Sequence, residues 1–288
     1  MDTQTSTHLF TNAPTSSHGA FPSMPVALTI AGSDPTSGAG IQADLKTFAA
    51  HNVYGLSVIT AITAQNTTGV SAVYPVPVEA IIKQCVTLIA DISFKIVKTG
   101  MIYEANAIKS IVDFITNHGL IAVVDTPFIA SDGTILMEKD AIEVFRERLL
   151  PVAHLLTPNI REAEILTRVK INSKADMERA AHALVEEGAK SVLLKGGHLE
   201  GEYSPDVLVT SDEMIWLDAE RIKGVNTHGT GCTFSAAIAA NLVLGMELHT
   251  AIGEAKDFIT QAITRSISLG TGDRLLAHSR QHTMKEIF

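Results

Sequence analysis

The chain has 288 residues, 46% of them apolar, enough to build a sizeable core in one large domain or two small ones. Its net charge is -9, from 22 basic and 31 acidic residues, and no basic block stands out. That argues against a nucleic-acid surface, so an anionic ligand has to be met by local donors. Two cysteines, Cys85 and Cys232, cannot staple a scaffold, and no run of 18 apolar residues occurs. The expectation is a cytoplasmic protein with no membrane span.

Residues 1–24 are rich in Ser and Thr and carry no Lys or Arg, which suits neither a signal nor a transit peptide. They read as a loose tail ahead of one domain over 25–288. The apolar run 26–31, ending at Gly32, predicts a buried strand, and a Gly-, Ser- and Pro-rich loop leads to a helix through about His51. Strands follow at 56–62 and 71–74. Apolar residues at 78, 81, 82, 85, 86 and 89 give helical periodicity over 78–92, with Cys85 on the core face. A strand at 96–97 leads into Lys98-Thr99-Gly100-Met101, and a helix over 105–117 closes at Gly119.

The alternation continues with a strand at 121–125 and a helix at 140–150 stopped by Pro151. A strand at 154–157 precedes a helix beginning at Asn159. The helix 173–187 has Gly188 at the left-handed cap position. Strands at 191–195, 207–210 and 214–217 precede helices at about 230–244 and 249–268. With no linker or internal repeat, this pattern predicts an α/β fold: a mostly parallel central sheet with helices on both faces. Ligand sites in such sheets lie beyond the carboxyl ends of the strands. The loops after Ala31, Ile62, Val97, Val124, Leu156 and Leu194 should therefore face one cleft.

Chemistry concentrates in Asn226-Thr227-His228-Gly229-Thr230-Gly231-Cys232, which opens the apolar run 233–240. Glycines on both sides of a threonine let the backbone turn and aim successive N–H groups at one point. The helix adds its N-terminal donors and positive dipole end, so the segment reads as an anion hole for phosphate. Cys232 at its mouth is either a small packing residue or a thiol whose pKa the helix terminus lowers. His228 is read as shaping the turn.

Gly38-Ala39-Gly40-Ile41-Gln42-Ala43 matches the dinucleotide fingerprint, but no Asp or Glu lies between Asp44 and Glu79 to hold a ribose. No Gly-Lys dipeptide occurs, so there is no Walker A loop, and the eleven histidines show no zinc-ligand spacing. Thr157-Pro158-Asn159-Ile160-Arg161-Glu162 is a helix cap that could also order waters around Mg²⁺. Lys195-Gly196-Gly197-His198 permits close approach of a nucleotide, or is a plain turn.

Taken with Ala27 through Pro35, Gly38 through Phe48, Ser57 through Ala61, Ala64-Gln65-Asn66-Thr67 and Lys98 through Met101, these segments resemble the ribokinase-like superfamily. Within it they are most similar to the hydroxymethylpyrimidine/phosphomethylpyrimidine kinases of thiamine biosynthesis. The resemblance spans about 27–262. It implies a three-layer ribokinase-like fold, ATP as co-substrate with Mg²⁺, and phosphorylation of a hydroxymethylpyrimidine and then of its monophosphate. It places Gly32, Asp44, Thr63, Gln65 and Met101 around the pyrimidine, Gln65 offering a paired donor and acceptor. Asn159, Lys195 and Thr227 fall near the nucleotide, and Asp125 and Glu162 around the metal, partly through water. Cys232 becomes the acceptor of the hydroxyl proton, with the Gly229, Thr230, Gly231 and Cys232 amides holding the transferred phosphoryl group. A homodimer is also implied.

One segment departs from the family pattern Val-Met-(Val/Leu)-Ala-Lys-Ser-Gly: here Asp125 is followed by Thr126-Pro127-Phe128-Ile129-Ala130-Ser131-Asp132-Gly133. The lysine becomes Ser131, an acid follows, and Phe128 brings a bulkier ring, which bears on how the second substrate's phosphate is held. A pyridoxal kinase and a non-catalytic binding protein on the same fold are the competing readings.

Overall fold

The computed structural model describes residues 24–279 apart from 131, 198, 200 and 223–226. The expected tail, all but the exposed Met24, thus lies outside the described residues, as do Ser131, His198 and Asn226. In chain order the elements are β1 (Val26–Ser33), α1 (Gly40–Ala50), β2 (Tyr54–Asn66), β3 (Gly69–Pro75), α2 (Val78–Ile89), β4 (Ile96–Thr99), α3 (Ala105–Asn117), β5 (Ile121–Val124) and α4 (Lys139–Val144). They continue with β6 (Ala153–Leu156), α5 (Ile160–Thr167), α6 (Lys174–Glu186), β7 (Ser191–Lys195), β8 (Tyr203–Thr210), β9 (Met214–Glu220), β10 (Thr227–His228), α7 (Thr230–Val243), α8 (Leu248–Thr264) and β11 (Arg274–Leu275).

Nine strands form one sheet in the order β3-β2-β1-β4-β5-β6-β7-β8-β9. The six from β2 to β7 run parallel, β3 pairs antiparallel at one edge, and β8 and β9 do so at the other. The central strands are buried on both faces, and period-two alternation sorts their side chains. Ala27, Ile96, Val123, Leu155 and Leu193 face α1, α7 and α8. Leu28, Val97, Val124, Leu156 and Leu194 face α2 through α6, where Cys85 also lies fully buried. Three layers result, as the alternation implied.

α7 is buried continuously from Thr233 to Asn241, packed between α1, α8 and the sheet. A helix apolar all round is a core helix. Burying Phe234 and Ile238 contributes about 1.5–3 kcal/mol each. The helix that starts at the expected anion hole is therefore anchored by its whole length.

Several boundaries differ from expectation. The helix expected over 78–92 stops at Ile89, and that over 249–268 stops at Thr264. The helix expected over 140–150 breaks into α4, a π turn at Phe145–Leu149 and a 3-10 turn at Leu150–Val152. The widened turn lets Phe145, Leu149 and Leu150 all reach the core. The strand expected to end at Ile62 instead runs to Asn66 and folds back as β3, pairing Ala61 with Pro75 through Asn66 with Gly69. A hairpin thus stands where a loop was expected. Among the described residues, no helix is long and apolar enough to cross a membrane.

Candidate active site

The carboxyl ends of β1, β4, β5, β6 and β7, with the outer half of β2 and the start of α7, surround one cleft of about 610 Å³. Gly32, Thr63, Gln65, Met101, Asp125, Asn159, Glu162, Lys195, Thr227, Gly229, Thr230, Gly231 and Cys232 all line it. Asp44 does not. Its side chain is fully buried, with both oxygens held by Lys98 Nζ at 2.9 and 3.0 Å and one also by Thr29 Oγ1 at 2.6 Å. Buried in that pair and absent from the cleft lining, it stands apart from the residues expected around the pyrimidine.

Gly229 caps α7 in the left-handed region, with φ +85°. A methyl group there would meet the Gly38 carbonyl oxygen at 1.8 Å. Gly38 in turn lies against the His228 ring, where a methyl would come within 2.7 Å of Cδ2. The fingerprint-like Gly38-Ala39-Gly40 turn exists for this backbone-to-backbone packing, not for a dinucleotide. The α7 N-terminus then presents its unpaired amides into the cleft. A Cβ on Gly231 would lie 3.4 Å from Lys195 Nζ and 3.6 Å from Asp125 Oδ2, which puts the turn directly over both charges.

Those charges form a buried cluster. Lys195 Nζ lies 3.4 Å from Asp125 Oδ1, which also accepts from Thr157 Oγ1 at 3.1 Å. Burial works to raise the Asp125 pKa, but Lys195 and Lys98 outweigh it and hold the carboxyl below the usual range. Burial dominates at Glu162 and, with the nearby Asp125 charge, lifts its pKa to about 7 against the opposing pull of Lys195. Asn159 and Glu162 form a complete capping box, with Asn159 Oδ1 accepting from the Glu162 N–H at 3.0 Å and Glu162 Oε2 from the Asn159 N–H at 2.7 Å. Thr126 also donates to Oε2, at 2.7 Å. Capping and cleft lining are thus the same arrangement seen from two sides.

Cys232 departs from expectation. The helix terminus was expected to lower its pKa. Burial, reinforced by Asp125 and Asp44, instead pushes the thiol up to about 12, against Lys98 and a Gly40 N–H that favour the thiolate. The resting group is a thiol.

Also lining the cleft, Met101 Sδ lies 3.0 Å from where a Cβ on Gly32 would sit. Thr63 Oγ1 lies 3.0 Å from the Ser33 carbonyl oxygen and 3.1 Å from Gln65 Oε1, while Gln65 Nε2 lies 2.9 Å from His228 Nε2. The cleft thus brings together the start of α7, a tethered carboxamide, a buried lysine and two carboxylates.

The family profile described as Phosphomethylpyrimidine kinase matches residues 34–277. This chain belongs to the phosphomethylpyrimidine kinase family. It is 46% identical to the hydroxymethylpyrimidine/phosphomethylpyrimidine kinase of Rhizobium meliloti over 248 residues, 86% of this chain and 93% of that one. Among solved structures it is similar to the phosphomethylpyrimidine kinase of Clostridium difficile 630, at 43% identity and a TM-score of 0.74, covering 83% of this chain and 99% of that one. It is also similar to the ADP complex of Bacillus subtilis pyridoxal kinase, at 37% identity and a TM-score of 0.82, covering 89% and 98%.

Sequence reasoning missed three further features in and around this cleft. Asp206 accepts the Gly196 N–H at 2.9 Å and is paired at 2.5 Å with Lys256, whose Nζ also donates to the Ser204 and Leu217 carbonyls. Asp206 and Lys256 lie 50 residues apart, so no local motif announces them. The Arg221 guanidinium donates to the carbonyls of Gly197, Leu199, Gly201 and Tyr203 and gathers that loop. Finally, β11 pairs with β10, and the Gly272 and Asp273 N–H groups meet Thr67 at the hairpin tip. No apolar periodicity marks this strap.

The departing segment also takes shape. Phe128 is fully buried, edge-on to Phe145 with centroids 5.2 Å apart, and still lines the cleft. Asp132 Oδ1 accepts the Thr134 N–H and Oδ2 the Val70 N–H, each at 2.8 Å, so the segment is latched to β3.

Proposed function

We propose that this protein transfers the γ-phosphoryl group of ATP to the hydroxymethyl oxygen of 4-amino-5-hydroxymethyl-2-methylpyrimidine, and then phosphorylates the monophosphate to the diphosphate, in thiamine biosynthesis. The observation that carries the reading is that the Gln65 carboxamide and the Gly229–Cys232 amides line one cleft. A carboxamide pairs with an aminopyrimidine edge, and convergent amides at a helix N-terminus hold phosphate. Gln65 and Met101 hold the ring so that its hydroxymethyl group points at the α7 N-terminus. Asn159, Lys195 and Thr227 take the nucleotide end.

The hydroxymethyl oxygen bonds to the γ-phosphorus as the bond to the β–γ bridging oxygen breaks, and ADP leaves with that electron pair. The charge on the moving phosphoryl oxygens meets the α7 amides and Lys195, placed in advance and shielded from water. The hydroxyl proton passes to Cys232 Sγ. Because the resting group is a thiol, it must first release its own proton to solvent as the ligands enter, and the thiolate so formed takes the hydroxyl proton and is restored to the thiol.

Asp125 and Glu162 fit Mg²⁺: they are two buried carboxylates, the charge of Asp125 helping to raise the Glu162 pKa, and they offer hard oxygen ligands. Two carboxylates leave most of the coordination to waters and phosphates. The ion, when bound, neutralises phosphate charge. Two free cysteines and the need for ATP support a cytoplasmic setting. Ile62 and Tyr74, exposed opposite one another on the outer half of the hairpin, suit the homodimer implied by the resemblance.

Incubation with ATP, Mg²⁺ and the free pyrimidine, counting mono- against diphosphate, tests the proposal. Both products are expected. No turnover at saturating pyrimidine would sink it, and a higher kcat/KM on pyridoxal would replace it.

A further inference from the structure

We infer that His228 is a specificity-determining positioning residue: its Nε2 carries a proton fixed by Asp34, and that proton dictates which way round the Gln65 carboxamide faces the ligand. The inference rests on the pyrimidine reading of the cleft and adds the group that orients its recognition amide.

The argument is a count of protons. His228 Nε2 lies 2.8 Å from Asp34 Oδ2 and 2.9 Å from Gln65 Nε2. Asp34 also receives the backbone N–H groups of Thr36 and Ala39 and the Thr36 hydroxyl, at 2.8 to 2.9 Å. A carboxylate receiving that many donors is an acceptor only. The ring nitrogen facing it is therefore the one that bears hydrogen. Such a nitrogen has no lone pair left and cannot accept from an amide NH₂ on its other side.

Thr63 supplies the second half of the count. Its hydroxyl has one hydrogen, and the Ser33 carbonyl, which can only accept, takes it at 3.0 Å. Thr63 therefore meets Gln65 with its lone pairs. The arrangement that avoids a donor facing a donor has the Gln65 oxygen toward His228, sharing the one Nε2 hydrogen with Asp34 in a three-centre bond, and its NH₂ toward Thr63, a half-turn of the amide about its last torsion.

Each Gln65 atom then keeps one valence for a ligand: a lone pair on the His228 side and an N–H on the Thr63 side. The ligand must present a donor toward His228 and an acceptor toward Thr63. In the 4-aminopyrimidine the exocyclic amine is next to the carbon bearing the hydroxymethyl group. With that group at the anion hole, the amine falls on the His228 side, one residue from Gly229. A 4-oxo counterpart carries the reverse order, a carbonyl where the amine was and a ring N–H beside it, and cannot turn over without removing its hydroxymethyl group from the α7 terminus.

The test compares kcat/KM for the 4-amino and 4-oxo hydroxymethylpyrimidines in wild type and His228→Ala, with KM for ATP as the control. His228→Ala is expected to shrink the amino-to-oxo ratio by about tenfold or more, while KM for ATP stays within about twofold. Asp34→Asn, which removes the acceptor-only partner, is expected to shrink it in the same direction. A ratio unchanged while both substrates lose activity together would overturn the inference. If either variant fails to fold, ¹⁵N NMR of His228 in the free wild-type protein decides alone: a protonated Nε2 is expected, and an unprotonated one refutes the assignment. Absence of wild-type turnover on the 4-amino compound would strike the proposed function, while the NMR result still judges the proton at His228.

Discussion

Cys232 shows how burial and local charge can overrule a helix terminus. The α7 dipole, Lys98 and the Gly40 N–H favour the thiolate, but burial with Asp125 and Asp44 prevails. Cys232→Ser is expected to lower kcat by roughly 10²-fold with little change in either KM, in line with typical proton-transfer contributions. A kcat near wild type would mean that the amides and Lys195 carry the step and the sulfur only packs. Glu162 gives a prediction in stability. Its pKa is raised from 4.5 in the reference state to about 7 in the fold. Between those values the folded state binds the proton and the unfolded state does not, so this group's stabilising contribution is full at low pH and lost as pH rises from about 4.5 to about 7. In Glu162→Gln that loss should vanish, as urea unfolding at pH 5 and pH 7.5 will show; an unchanged difference between the two pH values would refute it. Residue identity alone could not separate Glu162 from Asp44. Both are acids near the carboxyl end of the sheet, and only the partner lysine on a distant strand, Lys98, shows that Asp44 is sealed.

Among the elements, the α/β alternation was legible because every central strand is buried on both faces and reads as an apolar run. The outer half of β2 was not, since Thr63-Ala64-Gln65-Asn66 pairs only with β3 and leaves Ile62 half-exposed, so no apolar pattern marks it. The strand expected at 207–210 begins at Tyr203, and its added part contains Pro205, a residue that breaks central strands. It is tolerated here because Asp206 is the last residue of β8 paired with β7, so Pro205 has a strand neighbour only in β9. The turn that opens α7 was legible, since Gly229-Thr230-Gly231-Cys232 is one short run leading into an apolar helix. The hairpin and the segment after Asp125 meet through one carboxylate. Asp132→Ala should free that segment from β3 and raise KM for the pyrimidine several-fold, with KM for ATP unchanged. Faster hydrogen exchange at the Val70 amide would report the same release; exchange and KM both at wild-type values would show that the latch does not hold.

Across the whole molecule, the loop after β7 is tied to an ion pair that joins β8 to α8. Asp206→Ala leaves Lys256 buried without its carboxylate and the Gly196 N–H without its acceptor. A stability loss of about 3–5 kcal/mol is expected, with KM for ATP raised and KM for the pyrimidine held. Equal effects on both KM values would mean that the pair supports the fold without favouring the nucleotide end.

The strap over the hairpin has a consequence in time. Thr67 is met by the Gly272 N–H, 205 residues further along the chain, and β11 beside it also fastens the strand that carries Thr227 and His228. Contacts so distant in sequence form late in folding, after the long loop they close has been ordered. During synthesis the sheet can gather while both jaws of the cleft still wait for their clasp. The ability to bind pyrimidine should therefore be among the last properties a nascent chain acquires, and an incompletely folded copy would be unable to hold the substrate in place for ATP.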